Sequence, residues 1–220
     1  ELNSLKSNEY VLKNRINELE AIISKQTSII DKTIIEYNKY EKGDVIKAAF
    51  IMQAASFWPS FESIYNELLL DMRFDLKIFL IDEKEKEQSQ FASCAEFLKN
   101  NNIDYEILTI AKLKKFNPHI AFIQTPYDKW HRSDEFSSIN IKRLGIRLIY
   151  IPYGIEFAGT DESINLQFGT KFYENMWRIY TINTETKEKY CIYSNMRAEK
   201  IKVFGNPKFD GLHNKHCLTN

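Results

Sequence analysis

Two hydrophobic rhythms divide the chain. From Leu2 to Glu41 there is neither proline nor glycine, and apolar side chains recur with heptad spacing. Leu2, Glu9, Ile16, Ile23, Ile30 and Tyr37 occupy the a positions, and Leu5, Leu12, Leu19, Gln26, Thr33 and Tyr40 the d positions. Isoleucine at a with leucine at d favours a parallel two-stranded coil, while Glu9, Gln26 and Thr33 weaken the seam and can set its register. The pattern predicts a coiled coil over residues 1–42 or, as the alternative, one amphipathic helix lying on its own globular domain.

Gly43-Asp44 breaks that helix, and the rhythm changes to short β-branched and aromatic runs alternating with amphipathic segments. Strands are predicted at 45–52, 74–81, 105–109, 119–124, 146–151, 176–182 and 200–204. Helices are predicted at 61–72, 91–100, 110–116, 136–144, 163–173 and 184–194. Pro59 is expected at the first position of the first of these, where its missing N–H costs nothing, and Asn117-Pro118 is expected to close the third. Strands alternating with helices indicate β-α-β units. The expected fold class is therefore α/β: a Rossmann-like parallel sheet flanked by helices over residues 43–212, preceded by the long helix and followed by a tail or linker at 213–220.

Composition narrows the function. The 220 residues are 44% hydrophobic and 14% aromatic, enough for one well-buried core. Thirty basic and thirty acidic side chains cancel, which removes the electrostatic footprint of a nucleic-acid partner. Three widely spaced cysteines, Cys94, Cys191 and Cys217, argue against a disulfide framework and for a reducing compartment, the cytoplasm. No apolar run reaches the length of a membrane span, so membrane association, if any, is peripheral, on the inner face. The chain opens on Glu1, inside the helical pattern, and is expected to be part of a longer protein.

In open α/β sheets ligands bind beyond the carboxyl ends of the strands, so the strand-end turns carry the candidates. The turn after the first strand, Gln53–Ser60, has no glycine, and the Gly-x-Gly-x-x-Gly dinucleotide fingerprint is missing. Neither a Gly-x-x-x-x-Gly-Lys phosphate loop nor a Gly-x-Ser-x-Gly elbow occurs. No cofactor site is expected in this chain. His213-Asn-Lys-His-Cys217 has ligand-type residues, but no second cluster pairs with it, and no metal site is expected either.

Four segments in order carry a family resemblance: 57–65 (Phe-Trp-Pro-Ser-Phe-Glu-Ser-Ile-Tyr), 117–128 (Asn-Pro-His-Ile-Ala-Phe-Ile-Gln-Thr-Pro-Tyr-Asp), 149–154 (Ile-Tyr-Ile-Pro-Tyr-Gly) and 203–210 (Val-Phe-Gly-Asn-Pro-Lys-Phe-Asp). Together they resemble the CDP-glycerol glycerophosphotransferase family, bacterial enzymes of teichoic-acid and capsule polysaccharide biosynthesis. The resemblance covers residues 45–212 and implies the N-terminal, acceptor-facing half of a GT-B architecture. A CDP-polyol or nucleotide-sugar donor would then bind a C-terminal half beyond this chain, and the chain alone would be inactive. The implied acceptor is a polysaccharide or polyol phosphate. The family keeps a catalytic histidine followed by glycine after the strand that is here 146–151. Gly154 matches, but Tyr153 stands where the histidine belongs, and a phenol with an ordinary pKa of about 10 is a poor base near neutrality.

The candidate catalytic residues are Tyr153 and Glu156, the nearest carboxylate on the same loop. Gly154, Gln124, Tyr127, Asp128, Trp58 and Ser60 are the candidate acceptor contacts, Trp58 and Ser60 because backbone N–H groups at a helix N-terminus hold phosphate. Each has a structural alternative: a plain strand-end turn for Tyr153 and Gly154, an Asx turn for Asp128, capping and core packing for Trp58 and Ser60. Trp130 can stack on a sugar ring or pack on the domain. Rival functions are a non-catalytic assembly module, in which the coiled coil carries a degenerate polymer-binding half-domain, and a GT-B-type epimerase. Self-association through residues 1–40 is expected in each.

Overall fold

The computed structural model describes residues 2–41, 45–82, 90–128, 132–156 and 159–211. Gly43-Asp44, most of the acidic-basic loop after Asp82, Trp130 with His131, and the tail at 213–220 lie outside them. Among the described residues, seven strands alternate with helices: α1 (Leu2–Glu41), β1 (Ile46–Met52), α2 (Glu62–Leu69), β2 (Phe74–Leu80), α3 (Phe91–Asn100), β3 (Tyr105–Ile107), α4 (Ile110–Phe116), β4 (Ile120–Ile123), α5 (Ser138–Arg143), β5 (Arg147–Tyr150), α6 (Asp161–Phe168), β6 (Met176–Thr181), α7 (Thr184–Tyr193) and β7 (Ile201–Val203). No described helix is long and apolar enough to cross a membrane.

All the strands pair in parallel, in the order β3-β2-β1-β4-β5-β6-β7. The chain winds outward from β1 to β3, returns to β4 beside β1, and winds outward the other way. This is the doubly wound Rossmann-like layer expected from the sequence. Its reversal between β1 and β4 creates a crevice at their carboxyl ends.

The inner strands contribute to two cores, because successive side chains point to opposite faces. Ala48, Phe50 and Met52 of β1 join Phe61, Cys94 and Leu98 under α2 and α3. Ala49 and Ile51 join Leu113, Ile141, Phe168 and Tyr190 under α4 to α7. Phe50, at the centre, stacks on Phe122 at 4.5 Å and meets Phe61 edge-on at 5.1 Å. Burial on both faces is why the runs Ala48–Met52, Ile78–Ile81 and Leu148–Ile151 are continuously apolar rather than alternating.

Three boundaries depart from expectation for local reasons. Pro59 does not open α2: it lies inside a 3-10 turn, Ala55–Ser60, that absorbs the aromatic Phe57-Trp58 pair before the α-helix begins. The helix expected at 163–173 starts earlier, where Thr160 and Ser163 form a reciprocal capping box, and ends at Phe168 before Gly169. The helix expected at 136–144 is a 3-10 turn, Asp134–Phe136, followed by the shorter α5. Asn117 does close α4, in the left-handed conformation (φ 52°) that asparagine tolerates. Gly145 (φ 81°) turns the chain into β5 at a backbone angle that disfavours any side chain.

Candidate functional site

The carboxyl ends of β1, β4 and β5 converge on one edge of the sheet. From β5, Ile151-Pro152 leads to Tyr153, whose ring lies 4.3 Å, centroid to centroid, from Phe57 on the loop after β1. Tyr127, on the loop after β4, is half-buried beside Tyr153. Burial and the neighbouring Tyr153 hydroxyl, to which it is hydrogen-bonded, raise its pKa. Asn206, buried after β7, donates its side-chain N–H to the carbonyls of Pro152 (3.3 Å) and Gly154 (3.2 Å), fixing the Pro-Tyr-Gly turn. Gly154 is not required by sterics: a β-carbon there meets nothing within 4 Å. Tyr127, Tyr153 and Gly154 therefore border the opening.

Beside Tyr127 the edge deepens into a cavity of about 400 Å³ lined by Pro126, Tyr127, Asp128, Leu166, Thr170, Lys171 and Phe172. Its wall is largely apolar, with Lys171 as the cation and the Thr170 hydroxyl as a buried polar atom without a hydrogen-bond partner. Such a mix of apolar wall and few polar groups suits a small or chain-like ligand carrying a phosphate. Thr170 and Lys171 were missed by sequence reasoning because they fall in a stretch read as helix. The Gly169 stop was the available signal.

The other candidate residues face inward. Trp58, 5% exposed, packs against Tyr65 and Phe97, and the Ser60 hydroxyl is buried without a partner. Both sit in the 3-10 turn rather than at an α-helix N-terminus, so packing is what their positions provide. Gln124, 2% exposed, donates from Nε2 to the Phe57 carbonyl at 2.5 Å and thereby ties the β4 loop to the β1 loop.

Asp128 is the centre of a fastening network. Its Oδ1 accepts from Arg132 Nη2 (2.6 Å) and from the Ser138 backbone N–H (2.9 Å), and its Oδ2 from the Ser138 hydroxyl (2.5 Å). Arg132 is fully buried and also donates to the carbonyl and hydroxyl oxygens of Thr125, at 2.9 and 2.8 Å. Thr125 in turn donates to Gln53 Oε1 at 2.5 Å. Asn175 donates to the Ser138 hydroxyl at 2.9 Å. With both carboxylate oxygens engaged, Asp128 holds the loops after β1 and β4 to the start of α5 and to the turn before β6. Asp128 also lines the cavity beside Tyr127. Arg132 was invisible in the sequence, one arginine in a polar loop.

Glu156 lies deeper, 7% exposed. Its Oε2 accepts from the Thr181 hydroxyl (3.0 Å) and its Oε1 from the Tyr190 hydroxyl. Burial, opposed by these two hydrogen bonds, pushes its pKa up to about 7. Tyr190 packs on Tyr173 (5.0 Å) and Tyr173 on Tyr150 (5.6 Å). The pKa values of all three phenols are raised well above the ordinary value, first by burial and also by Glu156, while hydrogen bonds from Tyr190 and Tyr150 partly offset the rise at Tyr173. Tyr127 and Tyr153 add smaller contributions that also raise Tyr150.

No family model matches the chain and no curated sequence is similar to it. Solved structures are similar in fold. The UDP-GlcNAc 2-epimerase of Neisseria meningitidis, solved with UDP-GlcNAc bound, superposes with a TM-score of 0.57 at 11% identity over 78% of this chain and 50% of that one. A second UDP-N-acetylglucosamine 2-epimerase gives a TM-score of 0.52 at 13% identity over 77% of this chain and 50% of that one. The fold is that of a Rossmann-like GT-B domain. The chain spans about half the length of the structures it matches.

Proposed function

We propose that this chain is the acceptor-side half of a two-domain enzyme of the CDP-glycerol glycerophosphotransferase type. It would move a glycerol-phosphate, polyol-phosphate or sugar unit from a nucleotide-activated donor to a capsular or cell-wall polymer. The observation that carries the reading is the grouping of Tyr127, Tyr153, Gly154 and the Lys171 cavity at the carboxyl edge, beside a first turn with no glycine to cradle a nucleotide pyrophosphate. A match over about half the length of the neighbouring structures agrees with it, as do the four family-like segments.

In this reading Lys171 pairs with a phosphate of the acceptor polymer and the Tyr127–Tyr153 rings hold its terminal polyol. The acceptor hydroxyl attacks the donor phosphorus in line, or a sugar carbon if a sugar is transferred, and must lose its proton. Glu156 is the carboxyl group tuned to exchange a proton near neutrality. In this reading the proton is taken up by the Glu156 carboxylate, to which the Tyr190 hydroxyl donates. This arrangement takes the place of the family histidine.

The experiment is transfer of label by the full-length protein from CDP-polyols and nucleotide sugars to capsule or wall oligosaccharides. Incorporation is expected, and its absence with every donor would remove the transferase reading. An epimerase is the second reading, favoured by the Neisseria structure and its bound UDP-GlcNAc. Isomerisation of UDP-GlcNAc without any acceptor would select it. Acceptor binding with neither reaction would leave a non-catalytic polymer-binding module.

A further inference from the structure

Helix α1 presents an apolar stripe that the domain does not cover. Ile16, Ile23 and Ile30 at a and Leu12 and Leu19 at d are between 44 and 63% exposed. Ile22 and Ile29, at g, widen the stripe and are about half exposed, 48 and 54%. Among the described side chains, the helix meets the domain through a different face: Asp31, its side chain 14% exposed, places Oδ2 3.3 Å from Lys142 Nζ of α5. Asp31 is a b position. At 3.6 residues per turn, b lies on the far side of a from d and g, so the anchor and the stripe point in nearly opposite directions. The stripe is therefore not the surface by which α1 lies on its own domain.

We infer that a second copy of this chain covers the stripe, forming a parallel, in-register, two-stranded coil. Isoleucine at three successive a positions with leucine at d is the side-chain geometry of parallel dimers. Charge fits the same arrangement. In a parallel pair a g residue faces the e residue of the next heptad on the partner strand, which sets Arg15 against Glu20 twice, once on each side of the seam. Within one helix Arg15 bonds Glu18, at 2.8 Å and with both side chains largely exposed, an interaction weak enough to exchange for the interstrand pair. An antiparallel pair would face g with g and lose that match. Gln26 at d meets its own copy only in register, where the two amides can hydrogen-bond each other.

The coil brings two domains to the same end of the helix pair, so one assembly carries two openings side by side. A polymer that reaches both gains effective concentration without any new contact. The inference does not depend on the proposed function, because it concerns residues 12–31 and is read out by mass.

Light scattering of the chain at tens of micromolar is expected to give twice the 26.0 kDa chain mass. Ile16→Asp with Ile23→Asp should halve that mass while the thermal melt of the domain stays in place. Ile23→Cys, in a background with Cys191→Ser and Cys217→Ser, should oxidise to a same-site crosslinked dimer. Arg15→Glu should weaken association, and Arg15→Glu with Glu20→Arg should restore it. A monomer at these concentrations, a trimer, or an Ile23→Cys variant that does not crosslink would each overturn the inference.

Discussion

Asp128 and Glu156 make an instructive pair. Each follows the carboxyl end of a neighbouring strand, each was a sequence candidate for the site, and each is held by hydrogen bonds. Asp128 sits against the guanidinium of Arg132 and two donors from Ser138. Glu156 receives two neutral hydroxyls, and burial raises it to about 7. The same functional group is thus a fastener at one strand end and, at the next, a buried carboxyl group raised to about 7. What differs is whether the fold supplies a buried cation. Position relative to the sheet edge finds a site; the partner of the carboxyl group decides its role.

The largest effect should come from breaking the fastener. Arg132→Met leaves Asp128 without its cation in a mostly buried setting and is expected to cost about 3–5 kcal/mol in denaturant unfolding. A loss below about 1 kcal/mol would mean that the pair does not hold the loops. Next comes Glu156. Between the ordinary carboxyl value of 4.5 and about 7, native Glu156 holds more proton than the unfolded chain. Stability must then fall as pH rises through that window, by roughly 3 kcal/mol for a shift of this size. Glu156→Gln should flatten that part of the stability–pH curve, and an unchanged slope would assign it to another group. Asn206→Ala, which frees the Pro152 and Gly154 carbonyls, should cost about 1–2 kcal/mol. It should also broaden the amide signals of residues 153–156, whereas sharp, unshifted signals would mean that the turn holds itself.

The smallest stability change and the sharpest functional one should come from Gly154→Trp. Open space around this position keeps the expected cost within about 0.5 kcal/mol. The indole would occupy the opening beside Tyr153 and abolish acceptor binding. Retained binding would move the acceptor away from this edge.

Much of this architecture is legible in the residues. The apolar runs Ala48–Met52, Ile78–Ile81 and Leu148–Ile151 mark β1, β2 and β5 as strands covered on both faces, and Asn117-Pro118 marks the end of α4. From strand order follows the edge, and with it Tyr127, Tyr153 and Gly154. Long-range partners were not legible. Arg132 reaches Asp128 and Thr125 through folding of a polar loop, and Tyr190 reaches Glu156 across 34 positions. Neither pairing leaves a local periodicity. The 3-10 turn around Pro59 hid the inward direction of Trp58 and Ser60, because a proline opening an α-helix and one inside a 3-10 turn look alike in sequence. Heptads in α1 gave the helix, while only its exposed isoleucines and the Asp31–Lys142 contact distinguish the covered face from the uncovered one.

The acceptor-side assignment is tested most directly by titrating this chain, its tyrosines labelled at the ring carbons, with a glycerol-phosphate oligomer and separately with CDP-glycerol and UDP-GlcNAc. Expected are shifts at Tyr127 and Tyr153 with the oligomer, their loss in Lys171→Ala and Gly154→Trp, and no response to either nucleotide. Saturable nucleotide binding at the same tyrosines, with no response to the oligomer, would contradict the assignment and make this the donor half.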